Sequence, residues 1–227
     1  MAKETSKAEI RRNPLAEWIW WAAQAIQAHR RLVGILVGVV ILGAAGVAAY
    51  SWYQERREHD AQGVLIKAQN FMLGEKQGAQ PNPEEAKKLY VEIADNFSGT
   101  VAAEEALIRL GNLQYEGDKN EEAIATFGKY LSTYPQGRFL VMAGVGKAYA
   151  EEKKGDLQAA ENTLKDVVDR AKGDPLAGEA YSSLAHVYEV MKKPEDAVRV
   201  YGQIAELFAQ THWAQNALQR MSLLKSK

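Results

Sequence analysis

Apolar positions along this chain follow two patterns, and the change falls near residue 54. From Leu32 to Tyr53 the chain runs 22 residues without a formal charge. As a helix rising about 1.5 Å per residue, this stretch reaches about 33 Å, enough for a hydrocarbon core of roughly 30 Å. A surface apolar all round for that length offers water no polar face, so a membrane-inserted helix is expected over 32–53. The rival is a cleaved secretory leader, for which Val47-Ala48-Ala49 supplies small residues. Such leaders are typically about 15–30 residues in all, far shorter than the segment before this site. A retained anchor fits better, with Trp20, Trp21, Trp52 and Tyr53 near its two ends, where amphipathic rings favour the interface. Gly34 and Gly38 stand four apart, with Gly46 on the same face, which is the spacing of a close helix–helix contact.

Beyond residue 54 the apolar positions take a helical period and then repeat as blocks. Ala86, Ala123, Ala160 and Ala197 stand 37 residues apart each time. Tyr90, Phe127, Leu164 and Tyr201 keep the same step, as do Ile93, Tyr130, Val167 and Ile204, and Phe97, Tyr134, Ala171 and Phe208. A second alanine series, Ala106, Ala143, Ala180 and Ala217, holds it too. Fixed self-similarity of this length predicts stacked supersecondary units. Each unit reads as two helices: Ala103–Glu116 and Glu121–Thr133, then Val141–Glu152 and Leu157–Ala171, then Glu179–Met191 and Glu195–Phe208. Turns are expected at Gly117-Asp118, at Gly155-Asp156 and near Pro194, and Tyr134-Pro135 ends one helix. Ahead of these, Gln62–Phe71, with Val64, Ala68, Phe71 and Met72, supplies a front helix for Pro83–Phe97 across the loop Gly74–Asn82, which holds Gly78 and Pro81. At the end, Trp213, Ala217, Met221 and Leu224 form an amphipathic helix that caps the last exposed face.

The N-terminal tail and the charge distribution orient this arrangement. Asn13-Pro14 reads as a helix cap with proline in the first turn and Glu17 near the positive end of the dipole. Leu15, Ile19, Ala22 and Ile26 recur at helical spacing, with Trp18 and Trp21 widening the stripe, which predicts a short helix on the inner membrane face. A plain cytoplasmic extension of the spanning helix is the alternative. Residues 1–31 carry six basic and three acidic side chains, and 54–227 carry the remaining 22 basic and 26 acidic ones. The positive-inside bias therefore places the N-terminus in the cytoplasm, although Arg56 and Arg57 lie beyond the span among Glu55, Glu58 and Asp60. Cysteine is absent, which suits an exported domain, and mild acidity leaves no basic stripe for nucleic acid.

The repeat pattern resembles the tetratricopeptide repeat family. The resemblance rests on Leu107, Leu110-Gly111, Ala123, Phe127 and Pro135, and on Tyr181, Leu184-Ala185, Tyr188, Ala197 and Tyr201. The middle unit departs from it, with Lys147 where the others have leucine and Lys172 where a proline would stand. The 37-residue step exceeds the family's usual 34, which looks like the subtype with longer connections found in bacterial envelope proteins. The fold expected is all-α: a transmembrane helix followed by a tetratricopeptide-type helical-hairpin solenoid. Its divisions are a tail over 1–31, the span over 32–53, and a periplasmic repeat domain with a capping helix over 54–227. As a whole, this architecture resembles the single-span inner-membrane proteins that serve as ancillary subunits of the Sec translocon. It is similar also to anchored repeat proteins of outer-membrane assembly and of the Tol system. The resemblance to the translocon family implies a non-catalytic partner that hands emerging polypeptides to periplasmic chaperones.

Candidate chemistry adds little on the enzymatic side. His29, His59, His186 and His212 are scattered without the helical pairing of a metal site, so no metal or cofactor is expected. Gly144-Val145-Gly146 follows no strand and reads as helix packing rather than a phosphate loop. The pairs Glu84-Glu85, Glu121-Glu122 and Glu151-Glu152 point apart on their helices and read as solvated. With no nucleophile, base and stabiliser to assemble, the chain is expected not to be an enzyme. Function in a solenoid falls to the concave face lined by successive front helices. The candidates there are Ile108, Asn112 and Tyr115, with counterparts Met142, Val145 and Tyr149, then Ser182, His186 and Glu189. The resemblance places Asn112 where some members clamp a peptide carboxylate, but Ile108 stands in place of the accompanying lysine. A groove for an extended or helical protein segment is the better expectation, and packing against the next hairpin is the alternative for Ile108 and Val145. The partners expected are the translocon, periplasmic chaperones, subunits of another envelope complex, or a second copy of this chain.

Overall fold

The computed structural model describes residues 14–74 and 80–225. The expected cap at Asn13 and the loop residue Gly78 lie outside the described residues, as do the side chains of Leu15, Glu17 and Ala22. Among the described residues every regular element is a helix: α1 (Pro14–Ala28), α2 (Arg30–Leu73), α3 (Pro83–Asn96), α4 (Val101–Glu116), α5 (Asn120–Thr133), α6 (Leu140–Lys153), α7 (Leu157–Arg170), α8 (Ala177–Val190), α9 (Pro194–Leu207) and α10 (His212–Lys225). The chain divides into two compact units, one ending at Glu55 and the other beginning at Arg56.

In the first unit, α2 contains one stretch long and apolar enough to cross a membrane, and none of that stretch is buried. Leu36, Ile41 and Leu42 are 64%, 61% and 74% exposed. By length and composition this stretch could span a membrane. A Cβ added at Gly34, Gly38, Gly43 or Gly46 would meet nothing within 4 Å.

The second unit is a stack of helical hairpins, and its 37-residue register is its packing register. Ala86, Ala123, Ala160 and Ala197 are all 0% exposed, and Ala106, Ala143, Ala180 and Ala217 are buried with them. Small residues recur there because the helices approach closely. The core runs along the stack, from Leu65, Tyr90 and Ile93 through Phe127 and Tyr130 to Leu164, Val167 and Ile204. Trp213, Met221 and Leu224 of α10 pack on its last part, as a terminal cap requires.

Several side chains fix how elements meet. Glu58, in the part of α2 that belongs to this unit, accepts hydrogen bonds from the backbone N–H groups of Val101 (2.6 Å) and Ala102 (3.1 Å). These are free donors at the start of α4, where the helix dipole also favours a carboxylate. Arg57 donates to the carbonyl of Asn96 at the end of α3 (3.0 Å). The Thr100 hydroxyl caps α4 by accepting from Ala103 N–H (3.1 Å). Tyr130 Oη donates to Glu104 (2.7 Å) and accepts from Phe139 N–H (2.9 Å), tying the connection after α5 to α4. Burial pushes the Tyr130 phenol up, and its hydrogen bond to Glu104 adds to the shift.

The turns within hairpins share one backbone device. Asp118, Gly155 and Lys192, each 37 residues from the next, all take positive φ (59°, 83° and 58°). The first of these turns contains a glycine, Gly117, but the left-handed position is Asp118, a residue type that tolerates it. Lys172, in the place of the expected proline, lies between the α7 cap at Ala171 and Gly173, which takes φ 87° in the connection to α8.

Lys147, the middle unit's departure from leucine, has a physical explanation. Its ammonium lies 3.1 Å from Glu151 and donates to Thr163 (2.9 Å), and Thr163 in turn donates to Glu151 (2.8 Å). One period earlier the same contact is uncharged: Thr126 donates to Gln114 at 2.6 Å. Glu151 is only 5% exposed, so the expectation of a solvated Glu151-Glu152 pair fails at Glu151. A buried carboxylate needs such partners, and Lys147 with Thr163 supplies them.

Candidate interaction groove

Applying the 37-residue step to the front helices places Asn112, Tyr149, His186 and Leu223 in one column and Tyr115, Glu152 and Glu189 in another. The counterparts expected in the middle unit (Met142, Val145, Tyr149) are three or four residues out of this phase, and Val145, Tyr149 and Glu152 keep it. The exposed side chains of these columns line two open depressions. One, of about 470 Å³, is bounded by Tyr115, Tyr149, Glu152, Lys153 and His186. The other, of about 400 Å³, is bounded by Ser182, His186, Tyr201, Trp213, Asn216, Arg220 and Leu223, among others. His186 belongs to both.

The structure separates the expected site residues into three groups. Tyr115, Tyr149 and His186 come together in the first depression, and Ser182 joins His186 in the second. Asn112 and Met142 are exposed on α4 and α6, whereas Glu189 lies partly buried beneath Arg220. Ile108 and Val145 are each 4% exposed and belong to the core, so neither presents its side chain to a groove. On α2, the space around Gly34 and Gly38 is open.

Polar contacts hold the groove side chains in place. His186 Nε2 lies 3.1 Å from Glu152 Oε1, joining α8 to α6. Tyr149 Oη shares a hydrogen bond with Ser183 Oγ (3.3 Å), and the residue remains 39% exposed. Lys153 donates to Asp118, and its ammonium lies 4.8 Å from the Tyr115 ring centre. That geometry adds a cation–π attraction. Arg220 of α10 clasps the Glu189 carboxylate, which also accepts from Tyr201 Oη (2.7 Å). Burial works to raise the Glu189 carboxyl, but the hydrogen bonds from Arg220 and Tyr201 outweigh it and hold the pKa down. The Tyr201 phenol is pushed up to about 12 by burial and by its bond to Glu189.

Glu152, Lys153, Trp213, Asn216 and Arg220 were missed as groove residues. Glu152 was within reach of the sequence, being one period from both Tyr115 and Glu189. Trp213 carried a cap signal instead, and it does pack as one, its indole against Gly178 where a Cβ would lie 2.6 Å from the ring. Among the described residues no cluster of three metal-ligating side chains occurs. Gly144 and Gly146 lie on α6, where an added Cβ would strike Val167 and Phe127 respectively, so close helix packing accounts for both.

Residues 105–137, which run from α4 through α5 into the following connection, match the tetratricopeptide repeat family. A variant of the TPR-like repeats of Podosopora anserina is 14% identical, with 76% of this chain and 84% of that chain covered and a TM-score of 0.49. Another structure of those repeats gives 14%, 76%, 85% and 0.49. The ArsTM double mutant of MamA RS-1 is 18% identical over 76% of this chain and 94% of that one, with a TM-score of 0.46. No curated protein matches the chain significantly. Hairpin geometry and family match together support a tetratricopeptide-type helical repeat protein. Such repeats indicate a protein-interaction module, and the family is generally a non-enzymatic scaffold.

Proposed function

We propose that the chain is a membrane-anchored interaction module whose front-helix groove captures segments of other proteins. We place it in the bacterial inner membrane, with its N-terminus in the cytoplasm and its repeats in the periplasm. Its role is that of an ancillary partner of the Sec translocon, handing exported polypeptides to periplasmic chaperones. The observation that carries this reading is the set of aromatic and polar side chains, Tyr115, Tyr149 and His186, brought together from three successive front helices of a repeat stack. The apolar stretch of α2, none of it buried, supports the anchor, and the excess of basic residues in 1–31 supports the orientation. The architectural resemblance supports the translocon as partner.

A photo-cross-linker placed at position 149, with a second at the exposed back-helix position Gln203 as control, tests this in intact membranes. Translocon subunits, chaperones or exported chains should be captured from 149 and not from 203. Equal capture from both positions would contradict the groove, and capture only of further copies of the chain would favour a homo-oligomeric scaffold.

A further inference from the structure

Most of the charged side chains along the groove already have a partner within the protein. Lys153 is paired with Asp118 and Arg220 with Glu189, and Glu152 shares a hydrogen bond with His186 at 3.1 Å. The uncharged groups that line the groove between these pairs are aromatic or amide: the exposed Tyr149 and Asn216, and the half-buried Tyr115 and Trp213 rings. A charged segment gains little here, because each new ion pair must be made at the expense of an existing one. An uncharged segment meets ring faces and amide groups without disturbing any pair. From this charge compensation we infer that the groove takes uncharged, aromatic- and aliphatic-bearing segments of non-native polypeptide, the segments a folded protein buries. The inference rests on the groove reading above and specifies its ligand class.

Three labelled 15-residue peptides of one scaffold test it, titrated against the full chain in lipid nanodiscs. One carries two Phe and two Leu among Ser, Gly and Asn; the others add four Asp or four Lys. The uncharged peptide should bind at least about tenfold tighter than either charged one, and Tyr149→Ala should weaken it about tenfold, as a central ring at a binding surface commonly does. Its affinity should change less than about twofold between 50 mM and 500 mM salt, since screening acts on unpaired charges. Glu189→Gln, which frees the Arg220 guanidinium, should raise affinity for the acidic peptide severalfold, a gain that misfolding cannot mimic. Preference for either charged peptide by the unmodified chain would overturn the ligand class, as would indifference to Tyr149→Ala. If no peptide binds while capture from position 149 in membranes persists, the ligand class fails and the groove stands. If that capture fails as well, the groove reading falls with it.

Discussion

Phe127 is fully buried on α5, and its ring lies against two glycines of neighbouring front helices. A Cβ on Gly111 of α4 or on Gly146 of α6 would each come 2.6 Å from that ring. Truncating a buried aromatic typically costs about 3–5 kcal/mol, so Phe127→Ala should lower stability by that amount in urea denaturation of the full chain. Gly146→Ala should cost about 1–3 kcal/mol through overpacking, even though alanine is the better helix former. No loss in either variant would contradict the packing. The sequence marked Phe127 by its period and Gly146 as a packing glycine, but not that they meet, because nothing local links positions on different helices. Lys192 is a second case of hidden context. Its left-handed backbone costs about 1–2 kcal/mol relative to glycine, partly offset by about 0.5–1 kcal/mol of glycine chain entropy. Lys192→Gly is therefore expected to raise stability by up to about 1.5 kcal/mol, read as a higher denaturation midpoint. A lowered midpoint would mean that the lysine does more than occupy a turn.

From α3 to α9, helix ends were read from the sequence to within about two residues, since caps, glycines and prolines mark them locally. The cross-element polar contacts were not legible, because they join positions with no sequence signal in common. Glu161 on α7 shows this. It is 5% exposed and is held by Lys165 of its own helix and by Lys193, which precedes α9, at 3.3 Å. Burial acts to raise its carboxyl, and the two lysine hydrogen bonds outweigh that and lower it. A lowered folded-state pKa gives stability that is present above the ordinary carboxylate value of about 4.3 and is lost as pH falls through the folded value. Midpoints measured from pH 7 down to pH 3 should fall on the acid side in the unmodified chain. Glu161→Gln should begin lower at pH 7 and decline less steeply. Parallel declines would show that Glu161 contributes nothing to the acid limb.

On the scale of the whole molecule, the apolar run and the repeat were plain in the sequence. The continuity of α2 from Arg30 to Leu73 was not, because the change from apolar to charged residues reads as a boundary although helical backbone crosses it. The chain has no cysteine, so single cysteines introduced at Lys7 and Lys225 can report topology in intact cells. A membrane-impermeant maleimide admitted to the periplasm should label position 225 and not position 7, and the reverse would invert the proposed orientation. The central claim, that a front-helix groove captures protein segments, is tested most directly by cross-linking in native membranes with Tyr115→Ala/Tyr149→Ala. Circular dichroism serves as the folding control. The account predicts that the double variant keeps its helical signal and loses most of its partner adducts. An unchanged adduct yield in a folded double variant would contradict it and move the interaction to α2 or to the back helices.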